Sequence, residues 1–432
     1  MEKMLQALLE GGRPDLNALV GAFGVAVPSL YQLKETEQDP EWHGEGDVHI
    51  HTQMVLDELY REFDSPETQL ERWEKRELIL GVLFHDLAKP FTTRRVEVKG
   101  VERVTARGHE EKGRSILATA LCDKPGLPWR SLWSLMGLVG SHHEPKLLIV
   151  REKTPGEYKR ISRRVNSRKV SFLERADMRG RTCPDKKLQL EHIELFEMYA
   201  EEYALPNWER PYREHLLEAL RGRSPVLVDR VYGETVRLLQ EGRISSPEEG
   251  GFLLYQEPPE LGPPELVILC GPSGSGKSSF TQKHLSEYTV VSLDEIREEL
   301  SGKKSDQSMN GEVLQEARKR LKENLRPGKR VVWDATNLRK DFRSQVIQTG
   351  YDYKALVTLV VFQLSLEGYS KRNSKRRESV STGVLESQIE RWEFPEPDEA
   401  HRMLVLNGTG QVRGAMGFCD PENLPWGLEH AR

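Results

Sequence analysis

The spacing of apolar residues changes character once along the chain. In the N-terminal part, over residues 76–89, 129–141 and 189–203, apolar positions recur at three and four, the period that lines one face of a helix. Beyond residue 264, short runs such as Leu266-Val267-Ile268-Leu269, Val290-Val291, Val331-Val332-Trp333 and 356–362 alternate with charged segments of helical pattern. Continuous apolar runs of that length, separated by helices, predict a parallel sheet covered on its faces. Between the two lies Glu257-Pro258-Pro259-Glu260-Leu261-Gly262-Pro263-Pro264, whose four prolines and one glycine suit neither a helix nor a central strand. The predicted order is an all-α domain over 1–255, with a helical extension over about 188–255, then a linker over 256–264 and an α/β domain over 265–432.

Composition refines this only a little. A chain of 432 residues exceeds one compact core, and 37% hydrophobic with 30% charged residues is ordinary for a globular protein. No run approaches the roughly 18 apolar residues that cross a bilayer, and the opening MEKMLQALLEGG lacks a signal-peptide core, so no membrane partner is expected. Four cysteines (Cys122, Cys183, Cys270, Cys419) show no paired spacing, which suits a reducing cytoplasm. A net charge of −5 does not mark a nucleic-acid binder, so a polyanion would have to be held by local basic patches.

Chemistry is legible first at Gly271-Pro272-Ser273-Gly274-Ser275-Gly276-Lys277-Ser278, a full match to G-x-x-x-x-G-K-[ST] between an apolar run and a helical segment from Ser279. Glycines there let successive backbone N–H groups turn onto phosphate oxygens, and the following helix adds the positive end of its dipole. Lys277 would reach the β- and γ-phosphates of ATP, and the Ser278 hydroxyl would ligate magnesium. His284 reads as a surface helix residue.

Such a loop specifies a nucleotide and leaves the reaction open. Val290-Val291-Ser292-Leu293-Asp294 ends a short strand beside an aspartate, at the sheet edge where α/β ligands bind. A carboxylate there can accept the proton of an attacking hydroxyl, or can simply cap a helix. Arg297, three residues on, can clamp an acceptor phosphate. Val331-Val332-Trp333-Asp334-Ala335-Thr336-Asn337 repeats the strand-then-aspartate pattern, placing Asp334 to hold magnesium through water or to contact the acceptor. Lys371-Arg372-Asn373-Ser374-Lys375-Arg376-Arg377 sets Arg372 and Arg376 at i and i+4 on one helix face, able to fold over a triphosphate or to serve as a solvated surface.

Together these elements resemble the polynucleotide 5'-kinases of phage and bacterial end-healing enzymes, which move the γ-phosphate of ATP to a 5'-OH end of RNA or DNA. The resemblance implies that Asp294 is the general base and that Arg297 holds the acceptor's phosphate. It also implies acceptor contacts from Asp334, Thr336 and Asn337, and Arg372 and Arg376 over the donor, ATP or another NTP. After Arg377, Ser379-Val380-Ser381 departs from the family's Val-Pro.

The first domain concentrates histidines at predicted helix ends: His51 opens the apolar segment 52–59, His85-Asp86 closes 78–84, and His142-His143 ends another helix before Pro145. His109 sits in Gly108-His109-Glu110-Glu111, and Asp177 in 173–181. Imidazoles and carboxylates are natural ligands for a transition metal, although a single helix-terminal histidine is more often a core or cap residue. The H…HD…D pattern resembles the HD superfamily, and the flanking 45–52 and 108–111 resemble HD domains attached to some bacterial tRNA nucleotidyltransferases. That resemblance implies one metal on His51, His85, Asp86 and Asp177, or two, since His109 and His142 or His143 match the extra ligands of two-metal members. The ion would be Mn2+, Ni2+, Co2+ or Fe2+, acting on phosphate monoesters and cyclic diesters, with Lys89 on the scissile phosphate. His43 and His49 fit no ligand position. Residues 158–169 hold six basic residues and Tyr158, which as a loop beside a metal site would suit a polynucleotide backbone and as a helix face would be merely solvated.

An HD phosphohydrolase ahead of a polynucleotide kinase resembles the bacterial bifunctional end-healing enzymes. The implied function is removal of 2',3'-cyclic phosphate or 2'/3'-phosphate from one end and phosphorylation of the 5'-OH at the other, upstream of a ligase. Two alternatives are a small-molecule kinase fused to a nucleotide phosphohydrolase, and a regulatory nucleotide-binding protein. The segment 188–255 and the tail from Gly408 carry no recognisable chemistry.

Overall fold

A computed structural model describes residues 1–205, 211–256, 262–304, 306, 308–376, 379–420 and 422–431. The chain divides into two compact units, Met1–Trp208 and Glu209–Arg432. Most of the proline-rich segment, 257–261, lies outside the described residues, as does Arg377. No helix among the described residues is long and apolar enough to cross a membrane.

The first unit is helical, as the apolar period predicts, with one departure: an exposed antiparallel hairpin of β1 (Arg94–Val98) and β2 (Val101–Thr105). The Arg72–Phe84 helix is buried without a break from Arg76 to Phe84, so it forms the middle of the bundle. Around it pack the helices Val48–Phe63, Trp129–Ser141 and Ser167–Gly180. Asp47 caps the first of these by accepting from the Ile50 amide at 2.9 Å, which sets His51 in its first turn. The Ser167–Gly180 helix crosses it closely because residue 180 has no side chain; a Cβ there would lie 2.8 Å from the Val55 amide nitrogen. That crossing places Asp177 against His51.

Residues 158–169 are not a basic loop. They form the end of the Pro155–Arg164 helix and the start of the next. Tyr158, Ile161 and Val165 face the core, Arg163 is buried with them, and Lys169 pairs with buried Glu77 at 2.8 Å. Only Arg168 of the six basic residues is exposed. The stretch spans two helices, with Arg163 and Lys169 buried and Lys159, Arg160 and Arg164 half-buried.

In the second unit, β3 (Glu265–Cys270), β4 (Thr289–Ser292), β5 (Arg330–Asp334), β6 (Leu356–Phe362), β7 (Arg402–Leu406) and β8 (Val412–Met416) form one sheet in the order β4-β5-β3-β6-β7-β8. Pairing is parallel through β7, and β8 returns antiparallel on the edge. The first four of these are the apolar runs read from the sequence. Strands β3, β6 and β7 are buried at every position, which is why they read as unbroken apolar stretches.

Segment 211–256 belongs to this unit and not to the helical domain. The reason lies in the Pro225–Gln240 helix. Its Asp229 accepts from Arg402 at 2.9 Å and from the Cys419 amide at 2.9 Å, and its Glu234 meets His401 at 3.0 Å. Val231, Tyr232 and Val236 join Leu216, Leu220 and Cys419 in one apolar cluster. Stranding either partner of a buried pair such as Asp229–Arg402 costs about 3–5 kcal/mol, so these contacts outweigh the sequence proximity to the first unit.

Candidate functional site

In the helical unit the predicted ligands converge. Nδ1 of His85, His109 and His142 lies 2.7, 2.7 and 2.9 Å from the carbonyl oxygens of Val82, Ala106 and Val139. A carbonyl only accepts, so each Nδ1 carries the proton and each Nε2 presents a bare lone pair to the interior. Nε2 of His85 stands 3.4 Å from Nε2 of His51, and Nε2 of His109 stands 3.3 Å from Nε2 of His142. Asp177 Oδ1 adds a third donor 2.9 Å from His51 Nε2. Lone pairs facing each other at such distances repel unless a metal ion or a proton lies between them.

Asp86 lies between the two groups. Its Oδ2 is 3.1 Å from His85 Nε2, and its Oδ1 is 3.2 Å from His109 Nε2. Neither oxygen accepts a well-aligned hydrogen bond among the described residues, although the carboxylate is fully enclosed. Lys89 approaches Oδ2 at 2.7 Å and donates to Gln38 at 2.7 Å. Imidazole nitrogens and carboxylate oxygens in this arrangement could hold one divalent transition metal, or two bridged by Asp86. Burial opposes charge on His85, but the adjacent Asp86 outweighs it and raises the ring's pKa, so a metal would compete there with a proton. Burial and the charges of His143 and His109 hold His142 well below the ordinary range.

His143 is placed differently from His142. Its Nδ1 meets Glu110 Oε1 at 2.9 Å and its Nε2 accepts from Arg181 at 2.9 Å. Both nitrogens are engaged, yet His143 still stands with His109 and His142 in one group whose ligand atoms lie within 4.8 Å of one another. Arg181 also donates from Nε to Asp177 Oδ1 at 3.0 Å and from Nη2 to Oδ2 at 2.5 Å. Glu45 is enclosed between His43 and His51, with Oε1 at 2.8 and 2.9 Å from their Nδ1 atoms and Oε2 accepting from the Thr182 amide at 2.7 Å. Arg181, Glu45 and Glu110 were not singled out from the sequence. The available signals were the i+4 spacing of Arg181 from Asp177 and the adjacency of Glu110 to His109.

In the sheet unit, the loop after β3 has the form a phosphate cradle needs. Gly276 adopts φ +107° as N-cap of the Lys277–His284 helix, and a Cβ there would meet Arg372 Nη1 at 2.8 Å. Lys277 Nζ donates to the loop carbonyls of Gly271 at 2.8 Å and Pro272 at 3.0 Å, and lies 3.4 Å from Ser275 Oγ. Burial lowers its pKa, while Asp334 and Asp294 pull the other way and Arg376 adds to the lowering. Ser278 and Ser279 are exposed on the first turn. The Ser273 amide donates to Gln388 Oε1 at 2.8 Å, a contact no motif announces.

Asp294 is exposed in the first turn of the Leu293–Ser301 helix, whose cap is Ser292 and not Asp294. It accepts from Arg297 Nη1 at 2.5 Å, and Arg297 is itself buried. Asp334 ends β5, where burial raises its pKa against the pull of Lys277. Asn337 is not free for an acceptor: its amide nitrogen donates to Leu269 O at 2.6 Å and its Oδ1 accepts from Trp333 Nε1 at 3.2 Å, bracing β5 to β3. Arg372 donates to the Ser275 carbonyl at 2.8 Å and to that of Gly408. Arg376 does not share its helix face, because the helix ends at Asn373. The Asn373 side chain there bonds both the amide and the carbonyl of Val380, at 3.1 and 2.7 Å, turning the chain. A cavity of about 750 Å³ opens beside Arg297 and Thr336 and is walled by Trp333, Phe342 and Gln388.

A family model described as AAA domain (AAA_33) matches residues 266–395, which span the cradle, Asp294, Asp334 and the arginines after β6. No curated protein matches the chain. The stretch is thus similar to P-loop domains, and the match supports a nucleotide-kinase type of enzyme using ATP with Mg2+.

Proposed function

We propose that the chain is a two-activity nucleic-acid end-repair enzyme. The sheet unit phosphorylates 5'-OH ends from ATP, and the helical unit, an HD phosphohydrolase, removes 2',3'-cyclic phosphate and 2'/3'-phosphate. The kinase half is supported by one arrangement above all: a complete phosphate cradle bonded to Gln388, which lines a nucleotide-sized cavity together with Arg297, itself paired to Asp294. In that reading Asp294 leaves Arg297, takes the proton of the attacking hydroxyl, and frees the guanidinium for the acceptor's phosphate. Lys277, Arg372 and Arg376 neutralise the transferring phosphoryl.

The hydrolase half is supported by the opposed Nε2 lone pairs around Asp86. His51, His85, Asp86 and Asp177 would hold one ion and His109 with His142 a second, supplying charge neutralisation and an activated water. Lys89 and Arg181, beside Asp86 and Asp177, bind and orient the phosphate. In this reading Glu45, 2.9 Å from His51 Nδ1, favours a proton on that nitrogen and leaves Nε2 for the ion. Glu45→Gln therefore lowers metal affinity by about 10- to 100-fold, measured by titrating metal-stripped protein with Mn2+; unchanged affinity removes Glu45 from this role.

One observation favours a nucleoside-type acceptor instead. The basic stretch 158–169, which as a loop would have suited a polynucleotide backbone, is helical with Arg163 and Lys169 buried. Transfer from γ-labelled ATP with Mg2+ to a 5'-OH oligonucleotide, with a nucleoside in parallel, separates the readings. Label on the oligonucleotide alone is the result expected; label on the nucleoside, or on neither, overturns end repair.

A further inference from the structure

The acceptor cavity does not end at the sheet. A second, shallower groove of about 630 Å³ shares Leu314 and Arg318 with it and continues along the Asn310–Leu325 helix. Apolar residues Val313, Ala317, Leu321 and Leu325 bury one face of that helix. The neighbouring stripe runs Leu314, Arg318, Lys322, Arg326, each four residues from the last, so successive cations stand about 6 Å apart along the axis. Lys319 flanks the stripe, giving the groove four cations against one carboxylate, Glu323.

Arg318 touches Gln345, and Lys319 pairs at 3.7 Å with Glu316. Lys322 and Arg326 are exposed and have no ion-pair partner among the described residues. In a chain of net charge −5, an unneutralised row leading out of a nucleotide-sized cavity has a definite counterpart: a regular polyanion entering that cavity by one end.

We infer that this stripe is the track for the acceptor strand, with Lys322 and Arg326 contacting phosphates downstream of the nucleotide that is phosphorylated. The inference rests on the kinase reading above and sharpens it, since a nucleoside reaches only the cavity while a strand reaches the track. Recognition would be through the backbone and independent of base sequence.

The test compares two acceptors in the full-length protein: a nucleoside 3'-monophosphate and a ten-nucleotide 5'-OH single strand. With K322A/R326A, KM for the strand rises roughly 20-fold near 0.1 M monovalent salt, and the log–log salt slope weakens by about 1.4 for two lost phosphate contacts. The kcat value and the KM for the monophosphate do not change, and K322R/R326K behaves as the wild type. An unchanged strand KM and salt slope in K322A/R326A overturns the track while leaving the kinase reading intact. A wild type that phosphorylates both acceptors with equal KM also overturns the track. A wild type that phosphorylates neither overturns the kinase reading and the track with it.

Discussion

Asp86→Ala abolishes release of phosphate from 3'-phosphate and 2',3'-cyclic ends, lowering the rate by 10³-fold or more, while 5'-OH phosphorylation continues at the wild-type rate. The size follows from position. Asp86 contributes one oxygen to each histidine pair, 3.1 Å from His85 and 3.2 Å from His109. On the proposed reading, its loss would remove a ligand from both groups. Metal contributes several kcal/mol of charge stabilisation in such reactions, and each 1.36 kcal/mol is a factor of ten. Metal content measured beside the rate distinguishes loss of the ion from loss of a base. A variant that retained full metal and full hydrolysis would show that Asp86 is not a ligand.

Lys277→Ala has the complementary effect, reducing transfer from ATP by on the order of 10³-fold with hydrolysis untouched. Its ammonium is now satisfied by the carbonyls of Gly271 and Pro272, contacts it can exchange for phosphate oxygens at little cost. Asp294→Ala lowers kcat by about 10²- to 10⁴-fold with a smaller change in the KM for ATP, as expected of a general base. The two are read by initial rates over ATP and acceptor concentration. Should either substitution silence both activities in a folded protein, the two-site reading fails.

How much of this was legible beforehand depended on how local each feature is. The cradle is one contiguous motif after a buried strand, and β3 and β6 announce themselves because strands covered on both faces admit only apolar residues. The histidines at helix ends were visible for the same reason: a polar residue closing an apolar run stands out. Short-range spacing misled where a distant or backbone partner intervened. Arg372 and Arg376 have helical spacing, yet the Asn373 bonds to Val380 end the helix between them. Asn337 sits in a motif resembling an acceptor contact, yet Trp333 and Leu269 occupy its side chain.

The sequence by itself determined the helical character of the first unit apart from the β1–β2 hairpin, the strands β3 to β6, the phosphate loop and the candidate ligands, since these depend on periodicity and on residues adjacent in the chain. Only the tertiary structure brought His142 and His143 together beside His109, and set Arg181 and Glu45 against Asp177 and His51. It also assigned residues 211–256 to the sheet unit and made the basic stretch at 158–169 helical, with Arg163 and Lys169 buried. Each of those outcomes is set by burial and hydrogen bonding between segments far apart in the chain, such as Asp229 with Arg402 or Lys169 with Glu77. A charge read in sequence has no sign of its surroundings; packing decides whether it meets water, a partner or a ligand.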